Sequence, residues 1–191
     1  MALRLLFFIL IGGHCAAAQN WQTSGADTFF TDSEGKICLQ TLQGNGYAIR
    51  PGRLPDSPSR FWLKGDLWFS SDPETTDAFF VFGQDTGAGR RLWAAGYSLS
   101  EKQILFGALE ISPGGEVQFR LLAKKTVEIL NSEDKYVFMF IFSRRSDDVA
   151  VEVNGVPMAV KFPLPDKEFT WFGYMVRGGS VRFQPLEIAG D

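Results

Sequence analysis

The chain has 191 residues, 45% of them hydrophobic and 14% aromatic, with a formal net charge of −3. A mildly acidic chain of this size draws no polyanion through its overall field, which argues against a nucleic-acid binder. Its single histidine and two cysteines narrow the chemistry further once their positions are read.

Residues 1–18 read as a secretory signal peptide. Arg4 precedes the apolar run Leu5-Leu6-Phe7-Phe8-Ile9-Leu10-Ile11, and Ala16-Ala17-Ala18 supplies a small-residue cleavage site. The run falls short of the roughly 20 residues that span a bilayer. The strongest later stretch, Tyr136 to Phe142, is one strand long and is closed by Ser143-Arg144-Arg145. No membrane span is therefore expected, and a lipid anchor at Cys15 is disfavoured because His14, not a small residue, precedes it. Cleavage removes Arg4, His14 and Cys15, leaving 18 basic against 22 acidic side chains, a net of −4. The exported chain then holds no imidazole and one thiol, Cys38. Histidine-based triads and His/Cys zinc sites are excluded. A lone cysteine forms no internal disulfide, and its apolar setting in Ile37-Cys38-Leu39 reads as a buried, inert thiol. The expected location is the extracellular space or the periplasm.

Residues 19–191 read as one domain, large enough to stand on a hydrophobic core without staples. Period-two alternation runs almost throughout. Phe61 to Ser70 is a strand, broken or bulged at Gly65. If it is unbroken, Trp62 and Trp68 share a face. Asp77 to Gly83 is the next strand. Arg90 to Tyr97 reads as a strand edge or loop whose small residues leave Trp93 exposed. Ile104 to Ile111 and Glu116 to Leu122 flank the hairpin signal Ser112-Pro113-Gly114-Gly115. Leu121 to Ser132 reads as strand and loop rather than helix, given its β-branched residues. Val149 to Val153 enters and Val156 to Phe162 leaves a hairpin turn at Asn154-Gly155, two residues that accept positive φ. Phe169 to Val176 and Ser180 to Ile188 are closing strands joined by a turn at Arg177-Gly178-Gly179. Ten or eleven strands at this spacing predict an all-β sandwich or barrel, and eighteen phenylalanines, two of them in the signal, suit the core of an antiparallel two-sheet sandwich.

The order of these segments resembles the concanavalin A-like jelly-roll sandwiches, and the laminin G-like domains in particular. The resemblance rests on Phe79-Phe80-Val81-Phe82-Gly83, the hairpin Val151-Glu152-Val153-Asn154-Gly155, Gly173, and the closing run Gly179-Ser180-Val181-Arg182-Phe183-Gln184-Pro185-Leu186-Glu187-Ile188. That run also resembles the end of the 3-keto-disaccharide hydrolase sandwiches. The resemblance implies a jelly roll with a saccharide or protein ligand, sometimes with calcium. The catalytic pattern of the sandwich glycanases, E-x-D-x-x-E or E-x-D-x-E on one strand, is not matched. Glu110 and Glu152 lack the acids that would share their strand face.

Three kinds of site remain to be placed. Trp93 with Arg90, Arg91 and Tyr97 would bind carbohydrate, the ring stacking on a sugar face and the guanidinium groups bonding hydroxyls or carboxylates. Asp72, Asp77 and Asp85, in acidic turns, are the candidates for a calcium ion, which takes six to eight oxygen ligands. Arg144-Arg145 reads as charge that protects a sheet edge. The expectation is a secreted, non-catalytic binding module for a glycan. The alternatives are a glycan-cleaving hydrolase using scattered Asp and Glu, and a protein-interaction sandwich.

Overall fold

The structure, a computed structural model, describes residues 20–52, 60–69, 76–86, 89–111, 117–129, 135–143, 148–162 and 169–190. Residues 1–18, read above as a signal peptide, Asp72, the expected turn at 112–115 and Arg144-Arg145 lie outside the described residues. Thirteen strands are present: β1 (Gln22–Ser24), β2 (Thr28–Thr31), β3 (Ile37–Pro51), β4 (Arg60–Phe69), β5 (Asp77–Thr86), β6 (Gly89–Ser98), β7 (Gln103–Ile111), β8 (Val117–Thr126), β9 (Lys135–Ser143), β10 (Asp148–Val153), β11 (Val156–Lys161), β12 (Trp171–Phe183) and β13 (Glu187–Gly190). Alternation builds them. Phe61, Leu63 and Leu67 of β4 and Tyr136, Phe138, Phe140 and Phe142 of β9 are buried, while Arg60 and Lys64 face solvent.

All pairings are antiparallel, and they form two packed layers. The first sheet runs β11-β10-β9-β4. It then takes β13, the C-terminal part of β12, the N-terminal part of β3, and β2. The second runs β1, the C-terminal part of β3, the N-terminal part of β12, then β5-β6-β7-β8. β3 and β12 thus pass from one sheet to the other. The crossing is the irregularity where the ladder leaves Arg177 opposite Asn45 and resumes with Gly179 opposite Thr41. Gly178 and Gly179 sit at φ 64° and 86°. The sequence reading of Arg177-Gly178-Gly179 as a turn between two strands is therefore corrected. The glycines bend one long strand and do not reverse it, because positive φ serves a bulge as well as a hairpin. Gly65 is also corrected. It pairs with Phe138 in an unbroken ladder, so Trp62 and Trp68 do share a face. A Cβ there would stand 2.6 Å from Phe80 Cε1, so the glycine makes room for a ring. At Asn154-Gly155 both residues have positive φ, 48° and 80°, as the hairpin required.

Two cores result. The larger lies between the sheets and is built on Phe80, Phe82, Phe106, Phe138, Phe140, Phe142, Tyr174 and Phe183. The smaller lies on the outer face of the second sheet. There Tyr47, Ile49, Phe79, Val81, Leu92, Leu105, Leu109, Trp171 and Met175 are buried too. The β7–β8 hairpin helps to cover them. Phe119 of β8 packs on Phe79 of β5 at 4.8 Å, and Asn45 of β3 donates to the Val117 carbonyl of β8 at 2.7 Å. β3 and β8 are five positions apart in this sheet, so that contact requires β8 to curl back over the sheet's outer face.

Tyr174 ties this framework to pH. Burial pushes its phenol from the ordinary 10 up to about 12. Its hydroxyl accepts the Leu186 N–H at 3.1 Å and faces the Gln184 carbonyl at 3.5 Å. A folded value above the unfolded one means full stabilisation below pH 10, lost as pH rises from 10 through about 12. The loss should approach about 2–3 kcal/mol for this one group. Urea unfolding at pH 8 and pH 11 checks it: Tyr174→Phe should lose less stability between the two than the wild type does.

Candidate binding groove

The structure divides the four expected saccharide contacts between two places. Trp93 and Tyr97 point into the core between the sheets and are 7% and 2% exposed. Trp93 packs edge-on to Phe162 at 5.0 Å and stacks beside Phe82, its partner across the ladder. Tyr97 stacks on Tyr136 at 5.2 Å and donates to the Val127 carbonyl at 3.1 Å; burial raises its phenol. The expected open aromatic platform is corrected on this point. Small neighbours did not expose these rings: Ala94, Ala95 and Gly96 are themselves buried, and the Phe79 ring of β5 lies against Gly96. Gly96 leaves no room for a Cβ, which would meet the Ala78 carbonyl at 2.0 Å.

Arg90 and Arg91 are both exposed and, as successive residues of a strand, belong to opposite faces. Arg90 is committed. Its guanidinium lies 3.6 Å from the centre of the Trp171 ring, its Nε is 3.6 Å from Asp85 Oδ1, and Nη1 donates to Gln22 Oε1 of β1. Trp171 Nε1 in turn donates to Asp85 at 2.8 Å. This cluster pins β1 and the end of β12 to β6. Arg91 has no hydrogen-bond or ion-pair partner among the described residues.

Arg91 borders a groove of about 640 Å3, within the size range of small-ligand sites. Arg91, Trp93, Glu110, Ile111, Arg120 and Leu122 line it, with Arg90 at its margin. The groove lies beside the β7–β8 hairpin, whose far part stays against β11, Lys125 donating to the Pro157 carbonyl at 2.6 Å. Glu110 and Arg120 meet there diagonally across the hairpin, Arg120 Nε donating to Glu110 Oε1 at 2.7 Å. Both are more than half exposed, so this pair contributes no more than about 1 kcal/mol to stability. Ile111 and Leu122 are 39% and 46% exposed, two of the most open large apolar side chains described. The chemistry is therefore a free guanidinium, a second guanidinium paired to the only carboxylate among the lining residues, and aliphatic walls. Glycoside hydrolysis takes two carboxylates, and Glu152, the other acid weighed from the sequence, sits on β10 opposite Met139 and Pro157.

A smaller groove of about 320 Å3 lies between Trp21, Arg50, Phe172 and Leu186. Its tryptophan is already occupied by Phe29, Tyr174 and the Arg50 guanidinium, at 5.3, 5.8 and 5.0 Å.

The two described calcium candidates, Asp77 and Asp85, do not converge. Asp77 is buried and paired with Arg177, and Asp85 holds Trp171 and Arg90. The two stand at opposite ends of β5, eight residues and roughly 27 Å apart, too far to share an ion. Among the described residues no three His, Cys, Asp or Glu side chains group to hold a metal. Cys38 is 8% exposed, and burial raises its thiol above the ordinary value, which keeps it protonated and unreactive. Among the described residues no helix is long and apolar enough to cross a membrane.

No family model matches the chain and no curated protein matches its sequence. Solved structures do match its shape. A carbohydrate-binding module, CBM66 from Bacillus subtilis, superposes with a TM-score of 0.63 at 15% identity, over 90% of this chain and 96% of that one. The carbohydrate recognition domain of Emp46p, in its potassium-bound form, gives 0.60 at 9% identity, over 90% and 89%. A Bacillus subtilis protein of unknown function with a galectin-like fold gives 0.59 at 11% identity, over 88% of each chain. At these identities the likeness is one of fold: the chain is an all-β, antiparallel jelly-roll sandwich.

Proposed function

We propose that this protein is an exported, non-catalytic carbohydrate-binding module of the concanavalin A-like kind. The observation that carries the reading is the groove beside β6, β7 and β8, lined by the free Arg91, the Glu110–Arg120 pair and the exposed Ile111 and Leu122. Sugars present hydroxyls that bond planar charged side chains bidentately, and ring C–H faces that pack on apolar surface. The structural neighbours named as a carbohydrate-binding module and a carbohydrate recognition domain support the reading. The signal-like residues 1–18 support export. The exposed trio Ile111, Leu121 and Leu122 favours a second reading, a protein partner docking on the β7–β8 hairpin.

The test is a glycan array probed with the full protein, in calcium and in chelator. A specific glycan should bind equally in both conditions, and Glu110→Gln should weaken it about tenfold by removing a charged acceptor of sugar hydroxyls. Binding to no glycan in either condition overturns the proposal and leaves the protein-partner reading.

A further inference from the structure

Charge in the groove is out of balance in one direction. Arg90, Arg91 and Arg120 line it against a single acid, Glu110. Arg90 is answered by Asp85 and Arg120 by Glu110, which leaves one uncompensated cation, Arg91, exposed and without a partner among the described residues. This positive spot stands on a chain whose net charge is −3. A guanidinium presents a planar fork of N–H donors that meets two oxygens of one carboxylate or sulfate group in two parallel bonds. Arg120 spends its Nε on Glu110 and keeps its remaining N–H donors for a second oxygen. Glu110 remains an acceptor for hydroxyls beside that anion.

We infer that the groove selects an acidic saccharide, one whose sugar carries a singly charged carboxylate or sulfate group. The anion docks on the Arg91 fork with Arg120 as second donor. Glu110 accepts a neighbouring hydroxyl, and the ring packs on the exposed apolar side chains of the lining, Leu122 and Ile111. One anionic charge cancels the one uncompensated cation, and a neutral sugar leaves it unanswered. This inference rests on the carbohydrate reading above.

The experiment titrates the full protein, by calorimetry at low and at raised salt, with four probes. They are an oligouronate, a sulfated oligosaccharide, a neutral oligosaccharide of equal length and an oligoglutamate. The wild type should bind one of the acidic saccharides at least about 10-fold more tightly than the neutral one, and more weakly as salt screens the charge. Which acidic probe wins identifies carboxylate or sulfate. Arg91→Ala should cut that affinity about 10- to 100-fold, and Arg91→Lys, which keeps the charge but loses the fork, should restore only part of it. Because Arg91 is exposed and unpaired, the thermal midpoints of these variants should match the wild type, which removes misfolding as an explanation. Equal affinity for neutral and acidic sugars overturns the acidic selectivity and leaves the carbohydrate reading standing. Preference for oligoglutamate over both acidic saccharides overturns it in favour of an acidic peptide. Acidic-sugar binding that survives Arg91→Ala overturns the site. Binding to no saccharide overturns both readings.

Discussion

Phe80→Ala should destabilise the protein by about 3–5 kcal/mol, the range for emptying an aromatic site in a packed core. Phe80 is fully buried, with the rings of Phe138, Phe183, Phe140 and Tyr174 at 5.2, 5.6, 5.7 and 5.8 Å. These come from β9 and the two parts of β12, so the cavity would open where both sheets and the crossing strand meet. Surrounding strands are held by their ladders and cannot collapse to fill it. Urea unfolding should show a lower midpoint with an unchanged slope. Gly65 adds a second arm. Alanine there places a Cβ 2.6 Å from the Phe80 ring and should cost about 1–3 kcal/mol through overpacking. In the Phe80→Ala background the same change meets only Leu186 Cδ2, at 3.2 Å, so the double variant should be less destabilised than the two singles added together. Strict additivity would show that Gly65 is not there to admit the ring.

Most of the strands were legible because period two survives wherever one face of a sheet is buried. β4, β9 and β10 alternate cleanly, and Asn154-Gly155 announces its turn. What failed did so for identifiable reasons. Gly178 and Gly179 carry the same positive φ in a bulge as in a hairpin, so local chemistry could not say that β12 continues. β6 was misread because its run from Leu92 to Ser98 is buried at every position, which is the mark of a strand covered on both faces. Its small residues suggest exposure in the sequence, but in the structure they lie under a second apolar layer over the sheet. That layer depends on β8 curling back toward β3, a contact far apart in sequence. Of the groove, Arg91 and Trp93 were named from the sequence, though Trp93 for an exposure it lacks. Arg120 was missed, and Glu110 was weighed only as an isolated acid. A turn at 112–115 would set Ile111 opposite Glu116 and put Glu110 and Arg120 on opposite faces; the observed register sets Ile111 opposite Val117 and makes Arg120 the diagonal neighbour of Glu110, a one-residue difference the sequence does not show.

Arg177→Ala should be the more costly half of the Asp77–Arg177 pair. Both Nε and Nη2 of Arg177 reach Asp77 Oδ2, the first at 2.5 Å. The two residues face each other across β12 and β5. The Asp77 side chain is 4% exposed and that of Arg177 is 42% exposed. Removing the arginine strands a carboxylate that water scarcely reaches, a change that costs about 3–5 kcal/mol. Removing the aspartate leaves a guanidinium that hydrates through its open side, so Asp77→Ala should cost only about 1–3 kcal/mol, the worth of its lost charged hydrogen bonds. The double variant should fall well short of the two added together, because the stranded charge is gone. The same series decides between an ion pair and a calcium ligand at Asp77. A bound ion would stabilise the folded chain in proportion to its concentration over its dissociation constant. With Arg177 filling the cation's place, adding calcium should shift the unfolding midpoints of the wild type and Asp77→Ala alike. A calcium-dependent rise in the wild type that Asp77→Ala abolishes would show that the aspartate serves a metal after all.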